Sequence, residues 1–278
     1  MKAQFAGIGI LVMIAGASHA ADNITEQKTW QQTYAVSSPS PRLLVRNIWG
    51  NVTVRAGATG EVAVTANELR VAPTQELIEK TKTLIRLDVE TSSDGVSMVV
   101  GNPDRTERRT DMCRGCRVEY QFEITVPAGT HIDVGTVTDG RVEVTGVHGL
   151  VNASNVNGPV RVRDLNDCAS IESVNGALEV VFARAPSENC NLKTINGRIT
   201  VGLPANAGLD ALLSMGHGEV ESDFDVEPMT LPAKVERQQH DDRIGYRLEQ
   251  PAGIRLGAGG PTFTFASLNG DVRIVKNK

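Results

Sequence analysis

The chain has 278 residues, of which 28 are Lys or Arg and 33 are Asp or Glu, so its net charge is −5 at pH 7. This mild acidity argues against a nucleic-acid partner, because nucleic-acid binding needs a basic face. Phe, Trp and Tyr make up only 4% of the residues, so a large core must be built mainly from Val, Ile and Leu.

The N-terminal segment has the features of a secretory signal peptide. Lys2 supplies a positive charge, an uncharged apolar run covers 5–17, and Ser18 and Ala20 are the small residues that a signal peptidase reads. The apolar run is too short for a stable transmembrane helix. We therefore predict a signal peptide over 1–20, cleavage after Ala20, and no stable membrane insertion afterwards. The rest, 21–278, is predicted to be a single domain that is periplasmic or secreted.

A repeat of about nine residues runs through this predicted domain, and internal repeats of this kind indicate a solenoid. Over 140–180, a turn residue is followed by apolar residues at the second and fourth positions, as after Gly158. A further apolar residue stands at the seventh position in most repeats. The same template returns near both ends, at 41–54 and 261–274.

The spacing within the repeat predicts the shape of the chain. Apolar residues at the second and fourth positions fit one face of a β-strand, where side chains alternate. The seventh position breaks this alternation, so we predict a corner after which the inward face stays inward. Two such repeats make one coil of a parallel β-helix, and this all-β solenoid is the predicted fold. A β-sandwich or meander is the alternative, since Asn-Gly between apolar runs is also a hairpin signal.

Asn-Gly pairs recur at one corner of the predicted coil. Both residue types tolerate the positive φ that a sharp corner needs. The eight predicted structural turn residues are Asn157, Gly158, Asn175, Gly176, Asn196, Gly197, Asn269 and Gly270.

Three segments depart from the repeat. Residues 74–87 read as a helical insertion with Thr74 as its cap, placed on one coil or as a lid over an open end of the core. Residues 226–250 are polar and contain Pro228, and we predict an irregular excursion there. Arg105–Cys116 is dense in Arg and Asp and reads as an exposed loop.

The four cysteines are candidates for disulfides, because export places them in an oxidising compartment. For Cys113 and Cys116 a local disulfide is the default, with redox chemistry and metal binding as the alternatives. Cys168 and Cys190 fall in consecutive coils. The template makes Cys190 and Ala169 inward and Cys168 a corner neighbour, so a disulfide and a buried thiol both remain open.

Outward carboxylates are candidates for a catalytic pair, since some β-helix proteins are polysaccharide-cleaving enzymes. They alternate with Val and Ile, so an outward, solvated position already explains them. Gly216–Glu219 combines His with a carboxylate but reads as a turn because of its two glycines. The sequence predicts no catalytic, cofactor-binding or metal-ligating residue. The carboxylates considered are Asp133, Glu143, Asp164, Glu172 and Glu179.

The order of these segments resembles a known family. A strand over 118–127 leads directly into the Gly-punctuated repeats, and the Gly-rich run 257–260 precedes the closing repeat at 267–274. This order is similar to the bacterial putative-adhesin family of β-strand-repeat domains of unknown function. The resemblance implies a right-handed, single-stranded parallel β-helix and an envelope location. It implies no reaction.

The leading hypothesis is therefore an exported, non-catalytic structural or interaction protein of the bacterial cell envelope, adhesin-like, with an envelope protein or glycan as partner. One alternative is a carbohydrate-active β-helix enzyme. The other is a thiol redox or metal-binding module that uses Cys113 and Cys116. The sequence leaves the partner's identity and the oligomeric state open.

Overall fold

The computed structural model describes residues 11–12, 23–101, 115–231, 234–240, 243–249 and 252–277. In these ranges the chain is all-β, with one helix, α1 (Gln75–Leu84). Most strands belong to two eleven-stranded sheets, which we call sheet I and sheet II, and the remaining two form a separate hairpin.

The order of strands in space differs from their order in the chain. Sheet I runs β1 (Leu11–Val12), β2 (Ile24–Ala35), β5 (Glu61–Ala72), β8 (Arg117–Pro127), β4 (Val52–Gly57), β10 (Val142–Thr145), β12 (Val160–Leu165), β14 (Leu178–Phe182), β16 (Ile199–Leu203), β24 (Val272–Lys276), β18 (Val220–Ser222). Sheet II runs β19 (Val226–Met229), β22 (Ala252–Leu256), β17 (Leu209–His217), β23 (Thr262–Asn269), β15 (Cys190–Asn196), β13 (Cys168–Asn175), β11 (Val151–Asn157), β9 (His131–Thr136), β3 (Arg42–Arg46), β7 (Gly95–Gly101), β6 (Arg86–Ser92).

The repeats pair with one another as parallel strands. In sheet I all neighbours from β8 to β18 are parallel, and in sheet II all neighbours from β7 to β17 are parallel. The register stacks equivalent inward residues, so Val142 lies beside Val160 and Val144 beside Val162. Antiparallel strands extend both sheets at their ends, so each sheet is mixed.

Successive repeats alternate between the two sheets. In each layer of repeats, one strand belongs to sheet II and the next strand in the chain belongs to sheet I. The terminal repeats do not lie at the ends of the stack. Strands β3 and β4 lie between the β7–β8 layer and the β9–β10 layer. Strands β23 and β24 insert between the β15–β16 and β17–β18 layers. The C-terminal repeat is therefore an internal layer of the core.

The predicted inward seventh position is correct only in repeats whose strands lie in sheet I. Val147 and Leu165, in repeats whose strands lie in sheet I, are buried. In sheet II the strand continues without a bend, so alternation puts the sixth residue inward and the seventh outward. Val156, Ile195 and Leu268 are accordingly exposed. The sheet II residues that take the inward sixth position are polar: Asn47, Thr136, Asn155, Ser173, Thr194 and Ser267.

These inward polar residues have a structural reason, because four of them donate to a glycine carbonyl at the corner of the neighbouring layer. Thr136 Oγ1 donates to Gly50 O over 3.0 Å, and Thr194 Oγ1 donates to Gly176 O over 3.1 Å. Asn155 Nδ2 and Ser173 Oγ donate in the same way to glycine carbonyls. A buried carbonyl without a partner is costly, so a polar side chain at this position is favoured over an apolar one.

The helix forms where the sequence predicts it, but it is shorter. Thr74 is the N-cap, and its Oγ1 accepts a hydrogen bond from the backbone N–H of Leu77 over 3.3 Å. The helix buries Ile78 and Thr81 and contacts β5 and β2 at one end of the stack. Residues 86–87, included in the predicted helix, belong instead to β6, where they pair with β7.

The segment 226–250 is more regular than predicted. It contains β19, which pairs with β22, and an antiparallel hairpin of β20 (Lys234–His240) and β21 (Arg243–Glu249). The prolines of this segment stand outside the hairpin strands, so they do not prevent its ladder from forming. The predicted loop at 105–116 falls largely on 102–114, which lie outside the described residues.

Candidate functional site

A groove lies at the end of the stack where the edge strands of the two sheets face each other beneath α1. We call it the aromatic groove. Its cavity has a volume of about 580 Å³. The side chains that line it come from β2, β5, β6, β8 and α1, and they are Glu26, Lys28, Trp30, Gln32, Tyr34, Glu68, Arg70, Lys82, Arg86, Leu87, Val89 and Tyr120.

Alternation along β2 explains this lining. All five groove residues of β2 have even numbers, so they share one face of the strand. Trp30 and Tyr34 are partly buried and pack against the hydrophobic core. The chain has only 2 Trp and 3 Tyr, and three of these five residues line the groove. The groove therefore concentrates the scarce amphipathic aromatic residues in one place.

The floor of the groove is fixed by a buried arginine. The Arg70 guanidinium forms an ion pair with Glu68 and donates to Thr81 Oγ1 over 3.2 Å and to the Tyr120 hydroxyl over 3.1 Å. It also donates to the carbonyl of Ile85 over 2.9 Å, just after α1. Burial, together with the nearby Glu68 carboxylate, raises the pKa of Tyr120. The hydrogen bonds and the ion pair of Arg70 hold β5, β8 and α1 together.

The remaining charges of the groove do not cancel. The Lys82 ammonium lies 2.8 Å from Glu26 and 2.9 Å from Glu79, and these carboxylates raise the pKa of Lys82. Both groove carboxylates, Glu26 and Glu68, are thus engaged by cations. Lys28 and Arg86 have no ion pair within the part of the chain that the structure describes. The groove therefore presents two uncompensated positive charges.

This arrangement is suited to binding. Aromatic faces give contact area to apolar or ring-shaped groups, and free cations attract an anion. Its two carboxylates are held in ion pairs with Arg70 and Lys82. Among the described residues there is no group of three or more His, Cys, Asp or Glu that could hold a metal ion.

The predicted turn residues line one corner of the stack and form an asparagine ladder. Asn175 Nδ2 donates to Asn157 Oδ1 over 2.8 Å, and Asn196 Nδ2 donates to Asn175 Oδ1 over 2.7 Å. Asn269 Nδ2 donates to Asn196 Oδ1 over 2.8 Å. His217 takes the same place in the last layer, beside Asn269. The Gly216–Glu219 cluster is thus a corner of the stack.

All four glycines of this corner stack too closely on the neighbouring layer to admit a Cβ, and two of them also have positive φ. Gly158 and Gly270 have φ of 153° and 154°, as a sharp corner requires. Gly176 and Gly197 are not in the positive-φ set. Their reason is close stacking, because a Cβ on Gly176 would overlap the carbonyl oxygen of Gly158, and one on Gly197 that of Gly176. Positive φ is therefore the wrong explanation for these two glycines.

Cys168 and Cys190 form a disulfide, with their Cα atoms 5.3 Å apart. The predicted inward position of Ala169 is wrong. The register between β11 and β13 shifts after Val151, which pairs with Cys168, whereas Asn152 pairs with Ser170. This bulge leaves Ala169 as the extra residue and turns Cys168 inward, where it is buried beside Cys190. Cys116 is also disulfide-bonded, and Cys113 lies outside the described residues.

The candidate catalytic carboxylates named from the sequence are distributed over the outer faces of sheet I and sheet II. Asp133 pairs with Arg46 over 2.7 Å. Glu143 and Glu179 lie in a ladder with arginines of neighbouring layers, since Arg161 approaches both, at 3.5 Å and 3.4 Å. Ser170 Oγ donates to Glu172 over 2.7 Å. Asp164 stands at a positive-φ corner with φ of 53°.

Sequence reasoning missed the aromatic groove. Its residues lie before and between the repeats, in β2, β5 and β6, where the nine-residue template does not apply. One signal was available: Trp30 and Tyr34 stand four residues apart in a strand that is otherwise rich in Gln and Thr. Their convergence with Arg70 and Arg86 could not be read from the sequence, since it depends on the pairing of β2 with β5.

Comparison with known proteins identifies no family for this chain. No family model matches the chain, and no curated protein matches it. A solved "putative cell adhesion protein" from Clostridium sporogenes is 9% identical with a TM-score of 0.41, over 90% of this chain and 100% of that one. A "putative adhesin" from Bacteroides fragilis is 12% identical with a TM-score of 0.35, over 90% and 97%. These values establish neither a family nor a function. Within the described ranges no helix is long and apolar enough to span a membrane.

Proposed function

We propose that the protein is an exported, non-catalytic interaction protein of the bacterial envelope, adhesin-like, which binds an anionic envelope component in the aromatic groove. The observation that carries this proposal is the composition of the groove. Three of the chain's five Trp and Tyr residues meet there beside two cations, Lys28 and Arg86, that lack ion pairs among the described residues.

Export is supported by two independent features. The N-terminal segment has the charge, apolar run and small residues of a cleavable leader. The Cys168–Cys190 disulfide is typical of proteins in oxidising compartments. Mass spectrometry of the protein recovered from the envelope fraction is expected to give an N-terminus at Ala21. An intact N-terminus at Met1, or recovery only from the cytoplasm, would refute export.

The β-helix belongs to the same proposal. We interpret the parallel layers as coils of a right-handed, single-stranded β-helix, in which each coil contributes one strand to sheet I and one to sheet II. The in-register stacking of Val142 with Val160, and the asparagine ladder at one corner, support this interpretation. Such a scaffold holds the groove at one end of a stiff stack.

The binding proposal is tested by cross-linking in the native envelope, followed by mass spectrometry of captured partners. The groove variant is Tyr34→Ala/Arg86→Glu, which removes one aromatic face and reverses one free charge. Arg42→Glu is the matched control, because Arg42 is also an exposed arginine but lies on β3 away from the groove. We expect a reproducible partner with the native chain and the control, and its loss with the groove variant. Capture that is unchanged by the groove variant would refute the groove as the binding site.

A further inference from the structure

Three of the four outer edges of the two sheets carry features that prevent pairing with another chain. Short strands, prolines and regularly spaced charges are the usual protections of an edge. The edge strand β18 has 3 residues, and β19 contains Pro228. Strand β6 carries Arg86, Asp88 and Glu90 in alternation along its exposed row.

The fourth edge, β2, is neither short nor interrupted by a proline, and its charged residues are limited to one pair of opposite sign, Glu26 and Lys28. It has 12 residues without a proline, and all of them pair with β5 on one side. On its other side, among the described residues, only Thr29 and Lys28 are matched, by Leu11 and Val12 of β1. That short strand lies in the predicted signal peptide, so its removal would leave the whole outer edge of β2 unpaired.

We propose that a second copy of this chain pairs with this edge, antiparallel and with two-fold symmetry around Gln27, so that sheet I continues from one copy into the other. A two-fold arrangement is the commonest way in which identical chains associate, and it requires a self-complementary surface. The proposal goes beyond the groove's ligand and does not depend on it. In the dimer Lys28 would be paired with Glu26 of the second copy, which leaves Arg86 as the free cation of the groove.

The sequence of β2 is self-complementary in this register. Glu26 of each copy lies opposite Lys28 of the other, so two opposite-charge pairs form. Thr25 lies opposite Thr29, and Ile24 lies opposite Trp30, again twice each. Cross-strand pairs between opposite charges, between threonines and between aromatic and β-branched residues all stabilise antiparallel sheets. No like charges face each other in this register.

The side chains that must meet are available. The Lys28 side chain has no ion pair among the described residues, and it is exposed. The Glu26 carboxylate already contacts Lys82 through Oε2 but is 39% exposed, so its second oxygen is free to accept another cation. The other row of β2 carries only Thr, Gln and Ala from Thr25 to Ala35, so nothing charged opposes pairing on that face.

The register is tested with single cysteines in the exported chain that begins at Ala21. Gln27→Cys places two thiols directly opposite each other across the two-fold axis, at a separation that a disulfide can bridge. Thr29→Cys is the matched control on the same face, because its opposite residue is Thr25. We expect a disulfide-linked dimer, mapped by mass spectrometry, for Gln27→Cys but not for Thr29→Cys. Cross-linking of Thr29→Cys alone, or of neither variant, would overturn the proposal.

Charge exchange gives a second test that does not use cysteine. In sedimentation equilibrium the native chain is expected to be a dimer, and Glu26→Lys or Lys28→Glu alone should each weaken it roughly tenfold, because two like-charge pairs replace two opposite ones. The double variant Glu26→Lys/Lys28→Glu restores both pairs and should restore the dimer. A native chain that stays monomeric, or a double variant as weak as the single ones, would rule out this interface.

Discussion

The Asn175 side chain lies between two others of its kind, donating to Asn157 over 2.8 Å and accepting from Asn196 over 2.7 Å. The two inner amides, Asn175 and Asn196, each use the NH₂ group toward one layer and the carbonyl toward the next. The ladder therefore links the corners of successive layers with side-chain hydrogen bonds, in addition to the backbone ladder.

Asn175→Asp is expected to destabilise the fold more than Asn175→Ala. The alanine variant loses two exposed hydrogen bonds, worth about 1 kcal/mol in total. The aspartate variant also places a carboxylate oxygen against Asn157 Oδ1, so the two acceptors repel. Urea unfolding at pH 7 measures both. Asn152→Ala, on the outer face of the neighbouring β11, is the matched control. Equal midpoints for all three variants would contradict a stabilising ladder.

Gly176→Ala is expected to cost about 1–3 kcal/mol, because the new methyl group would overlap the carbonyl oxygen of Gly158 in the neighbouring layer. Gly101→Ala is the control, since nothing lies within 4 Å of a Cβ built at that position. Thermal unfolding followed by circular dichroism compares the two variants. If Gly176→Ala is no less stable than Gly101→Ala, the layers are not stacked as closely as described.

Removing the disulfide with Cys168→Ala/Cys190→Ala is expected to lower the free energy of unfolding by about 2–4 kcal/mol, because the bond restricts the unfolded chain across 22 residues. Denaturant titration of the native and double-variant proteins gives the difference. Peptide mapping of the non-reduced native protein checks the pairing directly. A linkage of Cys168 to any other cysteine would show the assignment to be wrong.

Asp167 should make stability depend on pH in the acid range. Burial alone would raise its pKa, but hydrogen bonds from the backbone N–H groups of Ser187 and Glu188 outweigh burial and lower it. A carboxyl with a lowered folded pKa stabilises the protein above its unfolded pKa, and this contribution is lost as pH falls through the folded value.

Asp167→Asn is therefore expected to be less stable than the native chain at pH 7 by about 1–3 kcal/mol. The difference should shrink as the pH falls below the ordinary aspartate pKa of 3.8. Urea titrations between pH 7 and pH 2.5, spanning that range, measure it. Asp225→Asn, at an exposed carboxylate, is the control. A difference that stays constant over this range would contradict the role assigned to Asp167.

Arg70→Met is expected to be among the most destabilising single substitutions, at about 3–5 kcal/mol, because it leaves the Glu68 carboxylate without its cation and removes the donors to Thr81 and Ile85. Arg86→Met, at an exposed arginine in the same groove, should change stability by less than about 0.5 kcal/mol. Calorimetric unfolding compares the two. Equal effects would show that the Arg70 cluster does not hold α1 to the sheet.

The repeat template predicted much of the core correctly because it reports a strictly local property. Val160 and Val162 stand two apart on one strand, and alternation alone places both on the same face. Gly158 and Gly270 suit their corner for a similarly local reason, because glycine tolerates the positive φ found there. The helix cap at Thr74 is likewise a local signal.

The repeat template made wrong predictions where the direction of a side chain, inward or outward, depends on a neighbouring layer. The template predicts Val156 inside, but β11 continues without a corner, so alternation puts Asn155 inside, where its side chain donates to the carbonyl of Gly140. Cys168 turns inward only because β13 carries a bulge against β11. Neither carbonyl nor bulge is visible within one repeat.

The sequence by itself determined that the chain is all-β and that its repeats bury Val, Ile and Leu, because these follow from side-chain alternation over a few residues. Only the tertiary structure decided the order of the layers, the disulfide partner of Cys168 and the meeting of Trp30, Arg70 and Arg86 in one groove. These features join segments that are far apart in the chain. Their positions depend on which strands pair with one another when the layers stack.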